Sequence, residues 1–481
     1  MWQYIFITLE VINILAIIFV AVNIFFEKRP ASQIFTWILI FILIPFFGFV
    51  LFILLGRNFR KQRIFTKKEI ADSTNIEKLS RIQSDSLEKI IAENEPELRS
   101  AAGLIKLLLN NNKAILSSHN EVNILNNGEE TFPAIYQSLE NAKSHIHLEY
   151  YMFNEGKVGD VIADILIRKA QAGVKVRLIY DDFGSWGIRN KFLKKLKNNG
   201  IECHAFIPVR FPLLATKVNY RNHRKIIVVD GLTGFIGGLN IDDRYLYGDP
   251  ELGFWRDTHM KITGSAVLAL QSIFLTDWHF VTGELQTDKS FFPKCKNINK
   301  CFVQIISSGP DNDWESIMQA FFYLISTAKK YIYISTPYFF PNESILTAMI
   351  TASLSGTDVR LILPSKSDSK LATWGSRSYF EELLEANVGI YLYNNGFTHS
   401  KIMVVDDIIG SVGTANMDIR SFNQNFESTA LIYDMDIARQ LKNEFIKDLE
   451  FCSKLNYSDF RKRLTLEKAY ESIARLFSPL M

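Results

Sequence analysis

The chain has 481 residues, with 54 lysines and arginines against 51 aspartates and glutamates. This length exceeds what one hydrophobic core usually serves, so two or three structural units are expected. The near-balanced charge of +3 creates no global basic field and argues against a nucleic-acid partner. The cysteines show no metal-binding spacing and are interpreted as reduced thiols of a cytosolic compartment. They are Cys203, Cys295, Cys301 and Cys452.

Two apolar runs, residues 2–26 and 34–55, open the chain. Each is long enough to cross about 30 Å of hydrocarbon as a helix, which predicts a two-helix transmembrane hairpin within residues 1–63. A cleaved signal peptide is the alternative for the first run, but the run lacks a basic start and a second run follows at once. Lysines and arginines concentrate after the second run, at residues 57–68. The positive-inside rule therefore predicts a multi-pass protein of the cell membrane, with both termini and the remaining bulk of the chain cytoplasmic.

Residues 64–117 are predicted to form a helical linker, either at the membrane surface or as a solvated connector. Two α/β units are expected to follow, at residues 118–295 and 296–481. Alternating helices and strands favour an α/β sandwich in each, so the predicted fold is a duplicated sandwich whose copies pack face to face. The predicted helices and strands are 132–142, 145–151, 158–172 and 173–179 in the first unit, and 314–328, 330–335 and 356–362 in the second.

A motif of the form His-x-Lys-x4-Asp occurs once in each unit and carries the functional signal. Each copy begins a predicted hairpin and is followed, at the same offset, by an asparagine, and half of the positions from histidine to asparagine are identical. Because side chains alternate along a strand, the histidine and lysine of each motif face the same way. The candidate site residues of the two motifs are His223, Lys225, Asp230 and Asn240 in the first, and His399, Lys401, Asp406 and Asn416 in the second.

These residue types fit the cleavage and formation of a phosphodiester. Two lysines and two asparagine amides can neutralise the phosphate oxygens, with Asn240 and Asn416 as the phosphate-binding amides. One neutral imidazole can attack phosphorus, and a second, protonated imidazole can protonate the departing alkoxide. Asp230 and Asp406 belong to the motif but sit at the hairpin tips, where they are expected to brace the turn.

Each catalytic imidazole needs a carboxylate to orient it. Asp257 and Glu427 are the candidates, and the sequence leaves open which of them serves which histidine. The remaining histidines have no repeated context and are expected to be structural. They are His119, His145, His147, His204, His259 and His279.

The paired motif resembles that of the phospholipase D superfamily, over essentially everything after residue 118. Within that superfamily the chain resembles the bacterial cardiolipin synthases. This narrower resemblance lies in segments 148–151, 219–225, 237–240, 255–257, 416–422 and 425–427. The resemblance implies a metal-independent and cofactor-free transfer of a phosphatidyl group between two phosphatidylglycerol molecules, with release of glycerol. It also implies a phosphohistidine on His223, with His399 as acid and base. The superfamily motif carries a hydroxyl residue where this chain has Gly238, although Thr414 keeps the hydroxyl in the second copy.

Other functions remain open at this stage. A membrane-anchored hydrolase, either a phospholipase or a nuclease, would use water as acceptor, and another phosphatidyltransferase would use a different alcohol such as serine. A binding protein with an inactive site is disfavoured because both motifs are complete. Two apolar segments with flanking basic residues, 206–214 and 461–477, are expected to be either interfacial patches for anionic lipid or packed parts of the fold.

Overall fold

The protein is described here by a computed structural model covering residues 18, 22, 31–44, 48, 52, 80–86, 91, 96–208, 220–286, 288–295, 301–476 and 478. It has a mixed α/β fold, as the sequence predicted. We refer to residues 116–295 as the N-terminal half and to residues 301–476 as the C-terminal half. The predicted unit boundaries at 118 and 296 stay a prediction. All four cysteines are free thiols.

Two described helices precede the N-terminal half, namely α1 (Ala31–Leu43) and α2 (Pro96–Asn111). The N-terminal half contains β1 (Leu116–Asn126), α3 (Asn127–Glu140), β2 (His145–Tyr150), α4 (Lys157–Gln171), β3 (Lys175–Asp181), α5 (Asn190–Asn198), β4 (Glu202–Phe206), β5 (Lys225–Val229), β6 (Thr233–Gly237), α6 (Arg244–Tyr247), β7 (Trp255–Arg256), β8 (Thr258–Gly264), α7 (Val267–Thr282) and a 3₁₀ turn (Lys289–Phe291).

The C-terminal half repeats much of this order. It contains β9 (Cys301–Ser308), α8 (Ser316–Thr327), β10 (Tyr331–Ser335), β11 (Phe339–Phe340), α9 (Glu343–Leu354), β12 (Asp358–Pro364), α10 (Lys370–Arg377), α11 (Phe380–Glu385), β13 (Gly389–Tyr393), β14 (Phe397–Thr398), β15 (Ile402–Val405), β16 (Ile409–Gly413), β17 (Met417–Asp418), α12 (Ile419–Asn423), β18 (Glu427–Tyr433), α13 (Met435–Leu449), β19 (Cys452–Lys454), α14 (Tyr457–Arg461) and α15 (Thr465–Leu476).

One 15-stranded sheet runs through both halves, in the order β19-β13-β12-β10-β15-β16-β18-β9-β1-β8-β6-β5-β2-β3-β4. The halves meet where β1 pairs antiparallel with β9. Read outward from this junction, the strands of the two halves follow equivalent orders, except that β19 adds an edge strand to the C-terminal half. The duplication predicted from the motifs is therefore visible in the strand order, and the copies are joined edge to edge within one sheet.

The faces of the two halves also share a hydrophobic layer. Ile226 and Val228 of β5 lie in one buried cluster with Ile402 and Val404 of β15. Because side chains alternate along a strand, the residues between them face the opposite side, where Ile227 packs in a separate cluster of the N-terminal half. Each motif strand is therefore buried on both faces, which holds the residues at its start in a fixed position.

The described part of the predicted linker is not a solvated connector. The apolar residues Leu104, Ile105 and Leu108 of α2 are fully buried. They belong to the same hydrophobic cluster as Ile317 and Leu324 of α8 in the C-terminal half. The periodicity correctly predicted a helix here. The helix packs as part of the core because its apolar face contacts α8.

The predicted transmembrane hairpin falls largely outside the described residues. Of the first apolar run only residues 18 and 22 are described, and of the second run the structure describes mainly α1, which is 13 residues long. Within the described ranges, no helix combines the length and apolar character that a membrane crossing requires. The apolar segment 206–214 also lies outside the described residues from 209 onward.

Asp230 and Asp406, which the sequence grouped with the catalytic residues, occupy the turns at the far ends of the motif strands. The carboxylate of Asp230 accepts hydrogen bonds from the backbone N–H groups of Lys143, Ser144 and His145, at 2.7–2.9 Å. The carboxylate of Asp406 accepts three equivalent bonds from residues 329–331. With a strand rise of roughly 3.3 Å per residue, five residues separate each turn from its lysine by about 16 Å. These carboxylates brace the fold and do not reach the reacting group.

We expect Asp230→Ala to lower the free energy of unfolding by about 3 kcal/mol, because three backbone donors lose their charged acceptor. Asp230→Asn should cost less, since asparagine tolerates the positive φ of 54° at this turn and keeps one acceptor oxygen. The rate constant per folded enzyme should change less than about threefold in both variants. Denaturant unfolding and turnover measured on the same preparations test this. A large loss of turnover at an unchanged free energy of unfolding would show that Asp230 takes part in the reaction.

Candidate active site

The two motif histidines are held by backbone hydrogen bonds that cross between the halves. The N–H group of His223 donates to the carbonyl oxygen of Phe426 at 2.9 Å, and the N–H group of His399 donates to that of Arg256 at 2.7 Å. The short parallel pairing of β14 with β7 extends the second contact. Each crossing places a histidine beside the carboxylate residue that follows its acceptor. The two motifs are therefore brought together by reciprocal contacts.

Glu427, from the C-terminal half, orients the histidine of the N-terminal half. The Nδ1 atom of His223 lies 3.0 Å from both carboxylate oxygens of Glu427. Glu427 is fully buried at the start of β18. An ionised carboxylate can only accept a hydrogen bond at this distance, so Nδ1 of His223 carries the hydrogen and donates it, and Nε2 keeps its lone pair. The ring of Tyr151 packs against the imidazole edge to face, with centroids 5.0 Å apart.

Asp257, from the N-terminal half, orients the histidine of the C-terminal half. The Nδ1 atom of His399 lies 2.7 Å from the Oδ2 atom of Asp257. The hydroxyl oxygen of Tyr245 lies 3.4 Å from the same Nδ1 atom. The question that the sequence left open is thereby answered, since each imidazole is paired with the carboxylate of the opposite half.

Both motif lysines are buried beside the histidines. The Nζ atom of Lys225 donates to the carbonyl oxygen of His223 at 2.8 Å, and that of Lys401 donates to the carbonyl oxygen of His399 at 2.6 Å. Burial lowers the pKa of Lys225 to about 7 and the pKa of Lys401 to about 8, although nearby carboxylates partly oppose this. An anion entering between the two ammonium groups would restore their proton affinity.

The two His–carboxylate pairs differ in where a proton is held. Burial lowers the pKa of His223 to about 4, so this imidazole is neutral. The pKa of Glu427 lies below its ordinary value, because the influence of His223 and Lys225 outweighs burial. In the second pair, burial raises the pKa of Asp257 to about 7 and, with Lys401 and Lys225, holds the pKa of His399 well below its ordinary value. The Asp257–His399 pair therefore binds one additional proton near neutrality, whereas the His223–Glu427 pair does not.

The charges of the two motifs influence each other across the site. The lysine of the first motif and the imidazole of His223 both lower the pKa of His399. In turn, Lys401 of the second motif lowers the pKa of His223. The reciprocal contacts of His223 and His399 with the opposite halves bring the two motifs to one shared site, and the mutual influence of their charges is consistent with this.

The two asparagines have different partners. The amide nitrogen of Asn240 donates to the hydroxyl of Tyr245 at 2.8 Å, while its Oδ1 atom accepts from the backbone N–H of Met152. Asn416 is also buried, and its Oδ1 atom has no hydrogen-bond partner in the part of the chain that the structure describes. Asn240 is linked to His399 through the hydroxyl of Tyr245, and neither amide bonds directly to an imidazole among the described hydrogen bonds.

The loss of the hydroxyl at Gly238 has a steric explanation. The Thr414 hydroxyl donates to the carboxylate of Glu427. At the equivalent position in the N-terminal half, a Cβ atom on Gly238 would lie 2.1 Å from the Oδ1 atom of Asp257. Asp257 instead accepts from the backbone N–H of Thr258 at 2.7 Å. The shorter carboxylate thus occupies the space that a side chain at residue 238 would need.

Buried polar residues fix the positions on both sides of His223. Asn222 donates its amide to Glu149, and its backbone N–H donates to Asp181 at 2.9 Å. Arg224 forms a buried ion pair with Asp277. These contacts hold the segment around His223 on both sides, which limits the motion of the imidazole.

Sequence reasoning missed Tyr245, which contacts both Asn240 and His399. Tyr245 lies five residues after Asn240, and Ser421 lies five residues after Asn416, where its hydroxyl accepts from the Asn416 backbone at 3.2 Å. A search for identical residues in the two copies passes over this pair because the residues differ. A search for polar residues at a common offset from each asparagine would have found it.

Gly238→Ala should displace the Asp257 carboxylate from His399 and reduce turnover on the order of 100-fold, as expected for a small misplacement of a catalytic group. Thr414→Ser is the matched control, because serine keeps the hydroxyl that donates to Glu427, and its turnover should stay within about threefold. Initial rates and the thermal midpoint of each variant provide the test. Near-normal turnover of Gly238→Ala would show that Asp257 does not serve His399.

Comparison with known proteins identifies relatives of this chain. The family model described as cardiolipin synthase, phospholipase D-like domain, matches residues 135–278 and 322–449. The cardiolipin synthase of Alkalihalophilus pseudofirmus is 43% identical over 98% of this chain and 94% of its own length. The major cardiolipin synthase ClsA of Bacillus subtilis is 40% identical over 99% of both chains.

Among solved structures, the crystal structure of a phosphatidylserine synthase from Haemophilus influenzae Rd KW20 is similar in fold. The match has a TM-score of 0.60 and covers 80% of this chain and 100% of that one, at 15% sequence identity. This likeness concerns the arrangement of helices and strands alone. It extends over most of this chain.

Proposed function

Since this chain belongs to the cardiolipin synthase family of phospholipase D-like enzymes and is a phosphatidyltransferase, we propose a mechanism for its reaction. The enzyme transfers a phosphatidyl group from one phosphatidylglycerol to the head-group hydroxyl of a second, forming cardiolipin and releasing glycerol. The observation that carries the mechanism is the pairing of each motif histidine with a buried carboxylate of the opposite half. The lowered pKa of His223 and the raised pKa of Asp257 suit the first pair to nucleophilic attack and the second to proton donation.

In the first step, the Nε2 lone pair of His223 attacks phosphorus. The Nε2–P bond forms while the bond from phosphorus to the oxygen of the head-group glycerol breaks. The Asp257–His399 pair gives its additional proton to that oxygen. Ionised Glu427 stabilises the positive charge that develops on His223. The ammonium groups of Lys225 and Lys401 neutralise the phosphate oxygens, with Asn240 and Asn416 as further donors.

The second step runs in the opposite sense with another alcohol. The head-group hydroxyl of a second phosphatidylglycerol attacks the phosphohistidine, and His399 accepts the hydroxyl proton as the new P–O bond forms. The P–N bond to His223 then breaks, which returns the enzyme to its starting state. One phosphodiester replaces another, so the exchange needs no nucleotide and is driven by lipid abundance and glycerol loss.

The membrane location belongs to the same proposal. Residues 1–63 contain two apolar runs long enough to cross a bilayer, and the lysine- and arginine-rich stretch follows the second. We infer a hairpin anchor in the cell membrane, with both termini and the catalytic halves on the cytoplasmic side. The anchor raises the local concentration of lipid alcohols over the concentration of a soluble acceptor.

The function is tested with purified full-length enzyme and phosphatidylglycerol labelled in its acyl chains and glycerol head group. Cardiolipin and free glycerol in equal amounts are expected, without nucleotide or added metal. Phosphatidic acid as the sole lipid product would replace the transferase with a hydrolase. Addition of serine should not divert the label into phosphatidylserine.

The roles of the two histidines are separated by a phosphatidyl ester of p-nitrophenol, whose departure needs no proton. His399→Ala should still release p-nitrophenol and then accumulate an acid-labile, alkali-stable phosphatidyl group on the protein, because no base activates the acceptor. His223→Ala should form no such adduct. Intact-mass measurement and peptide mapping after an alkaline quench detect it. Adduct formation in His223→Ala at residue 399 would reverse the assignment.

The value of kcat/KM for phosphatidylglycerol should fall as the pH rises above about 7 to 8. The Asp257–His399 pair loses its additional proton as the pH passes the raised pKa of Asp257, about 7. Lys225 and Lys401 lose their charges as the pH passes their lowered pKa values, about 7 and about 8. These protonated forms are all present below pH 7, so the loss lies on the alkaline side, at about tenfold or more per pH unit. Initial rates in mixed micelles from pH 6 to 10 test this, and a flat profile to pH 10 contradicts it.

A further inference from the structure

We propose that the C-terminal half carries a second membrane contact, formed by α15 and the adjoining α10, which docks on an anionic bilayer surface. This contact lies at the catalytic edge, by which we mean the side of the sheet where the strand ends lie nearest the motif histidine. This contact is separate from the anchor proposed for residues 1–63, and it rests on the proposed function only in that the substrates are lipids. The surface is defined by Leu464, Leu466, Tyr470, Ile473 and Leu476.

The position of these helices follows from the sheet. The last residue of β10, Ser335, pairs with Ile402 at the start of β15 and with Ile362 near the end of β12. The carboxyl end of β12 is therefore on the same edge as His399. Residues 365–369 connect β12 directly to α10. The charge of Asp368 in this connection raises the pKa of Lys401, against the larger lowering by burial. The first turn of α10 thus adjoins the entrance to the site.

α15 is fixed on α10 by the partly exposed ring of Tyr470, at the margin of the outer face, and by the buried carboxylate of Glu471. The ring of Tyr470 stacks on that of Trp374, with centroids 4.8 Å apart and an interplanar angle of 15°. The buried carboxylate of Glu471 accepts from Arg377 at 2.9 Å and from Arg463 at 2.8 Å. The helix is therefore an ordered part of the fold, and its outer face has a defined orientation.

The outer face is strongly apolar. Leu466 and Ile473 are 61% and 53% exposed, and they lie on one face with Tyr470 because the spacings are four and three residues. Leu464 and Leu476 extend the surface and are also more than half exposed. Contiguous exposed apolar residues of this kind mark sites that bind a protein or a membrane.

The charges favour an anionic bilayer as the occupant. Both glutamates of α15 form ion pairs within the fold, Glu471 with Arg377 and Arg463 and Glu467 with Arg377. Glu382 of the neighbouring helix pairs with Arg475. Arg461 and Lys462 are exposed immediately before the apolar face. An apolar helix face flanked by outward basic residues fits a surface of anionic head groups, which includes phosphatidylglycerol.

The N-terminal half presents exposed aromatic side chains at its own catalytic edge. Phe183 and Trp186, 46% and 67% exposed, lie on the loop that follows β3. The Oδ1 atom of Asp181 accepts from the backbone N–H of Phe183 at 3.0 Å, while its Oδ2 atom accepts from Asn222, next to His223. Apolar side chains thus flank both histidine segments, which would direct the entrance of the site toward the lipid surface.

Full-length enzyme in nanodiscs with one copy per disc tests the contact directly. A bimane label is placed at Ile473→Cys, or at Leu354→Cys as control, with Cys295 and Cys452 replaced by serine in both. Leu354 is 66% exposed at the end of α9, near the opposite edge of the sheet. Head-group nitroxide lipids should quench the label at residue 473 at least threefold more than the label at residue 354. Equal quenching of the labels at residues 473 and 354 overturns the proposal. Quenching of the label at residue 473 that appears only with a second, nitroxide-labelled copy of the enzyme also overturns it.

The consequence for turnover is measured with the double variant Leu466→Asp/Ile473→Asp. Turnover of phosphatidylglycerol in vesicles should fall about tenfold or more. Turnover of a short-chain phosphatidylglycerol below its critical micelle concentration should stay within twofold, because the active site is unchanged. Leu354→Asp, the matched control, should alter neither rate. Full vesicle turnover in the double variant overturns the proposal.

The charge contribution and the link to the proposed function are separable. Arg461→Glu/Lys462→Glu should reduce the quenching at residue 473 in phosphatidylglycerol discs and leave it unchanged in phosphatidylcholine discs. Equal effects in both lipids contradict an anionic partner. Failure of the wild-type enzyme to form cardiolipin from either substrate would refute the proposed function, whereas the quenching result would still decide the membrane contact.

Discussion

The active site depends on the reciprocal hydrogen bonds that tie each histidine segment to the opposite half. His223 is bound to the backbone of Phe426 and so meets Glu427, while His399 is bound to the backbone of Arg256 and so meets Asp257. Neither half holds a complete histidine–carboxylate pair of its own. The edge pairing of β1 with β9 and the shared layer between the motif strands are therefore conditions of chemistry as well as of stability.

The duplication supplies two similar motifs, and small differences in their surroundings make them unequal. A glutamate with a threonine hydroxyl at Thr414 serves one imidazole, and an aspartate packed against Gly238 serves the other. The first carboxylate stays ionised, while burial raises the pKa of the second to about 7. Phosphoryl transfer through a covalent intermediate needs one imidazole with a free lone pair and one with a proton to give. The departure from internal symmetry thus provides what the reaction requires.

The sequence predicted the motif hairpins well, because an apolar β-branched run broken at Asp230 or Asp406 leaves few other conformations. It missed β1 at the centre of the sheet. This strand pairs with a neighbour on both sides, but its many polar residues do not show the alternation that predicts a strand. It could not assign Asp257 and Glu427 to their histidines, because the assignment arises from packing between the halves. Tyr245 was missed for a related reason, since its counterpart in the other copy is a serine.

The buried lysines connect substrate binding to proton uptake. Burial lowers the pKa of Lys225 and Lys401 toward neutrality. A phosphodiester between them favours their charged forms and, through the same field, favours retention of the proton on the Asp257–His399 pair. The general acid is therefore best prepared when its substrate is present. In the proposed mechanism, the phosphatidyl group on His223 would keep its negative charge beside these cations after glycerol leaves, so the site would remain suited to a second alcohol from the same lipid surface.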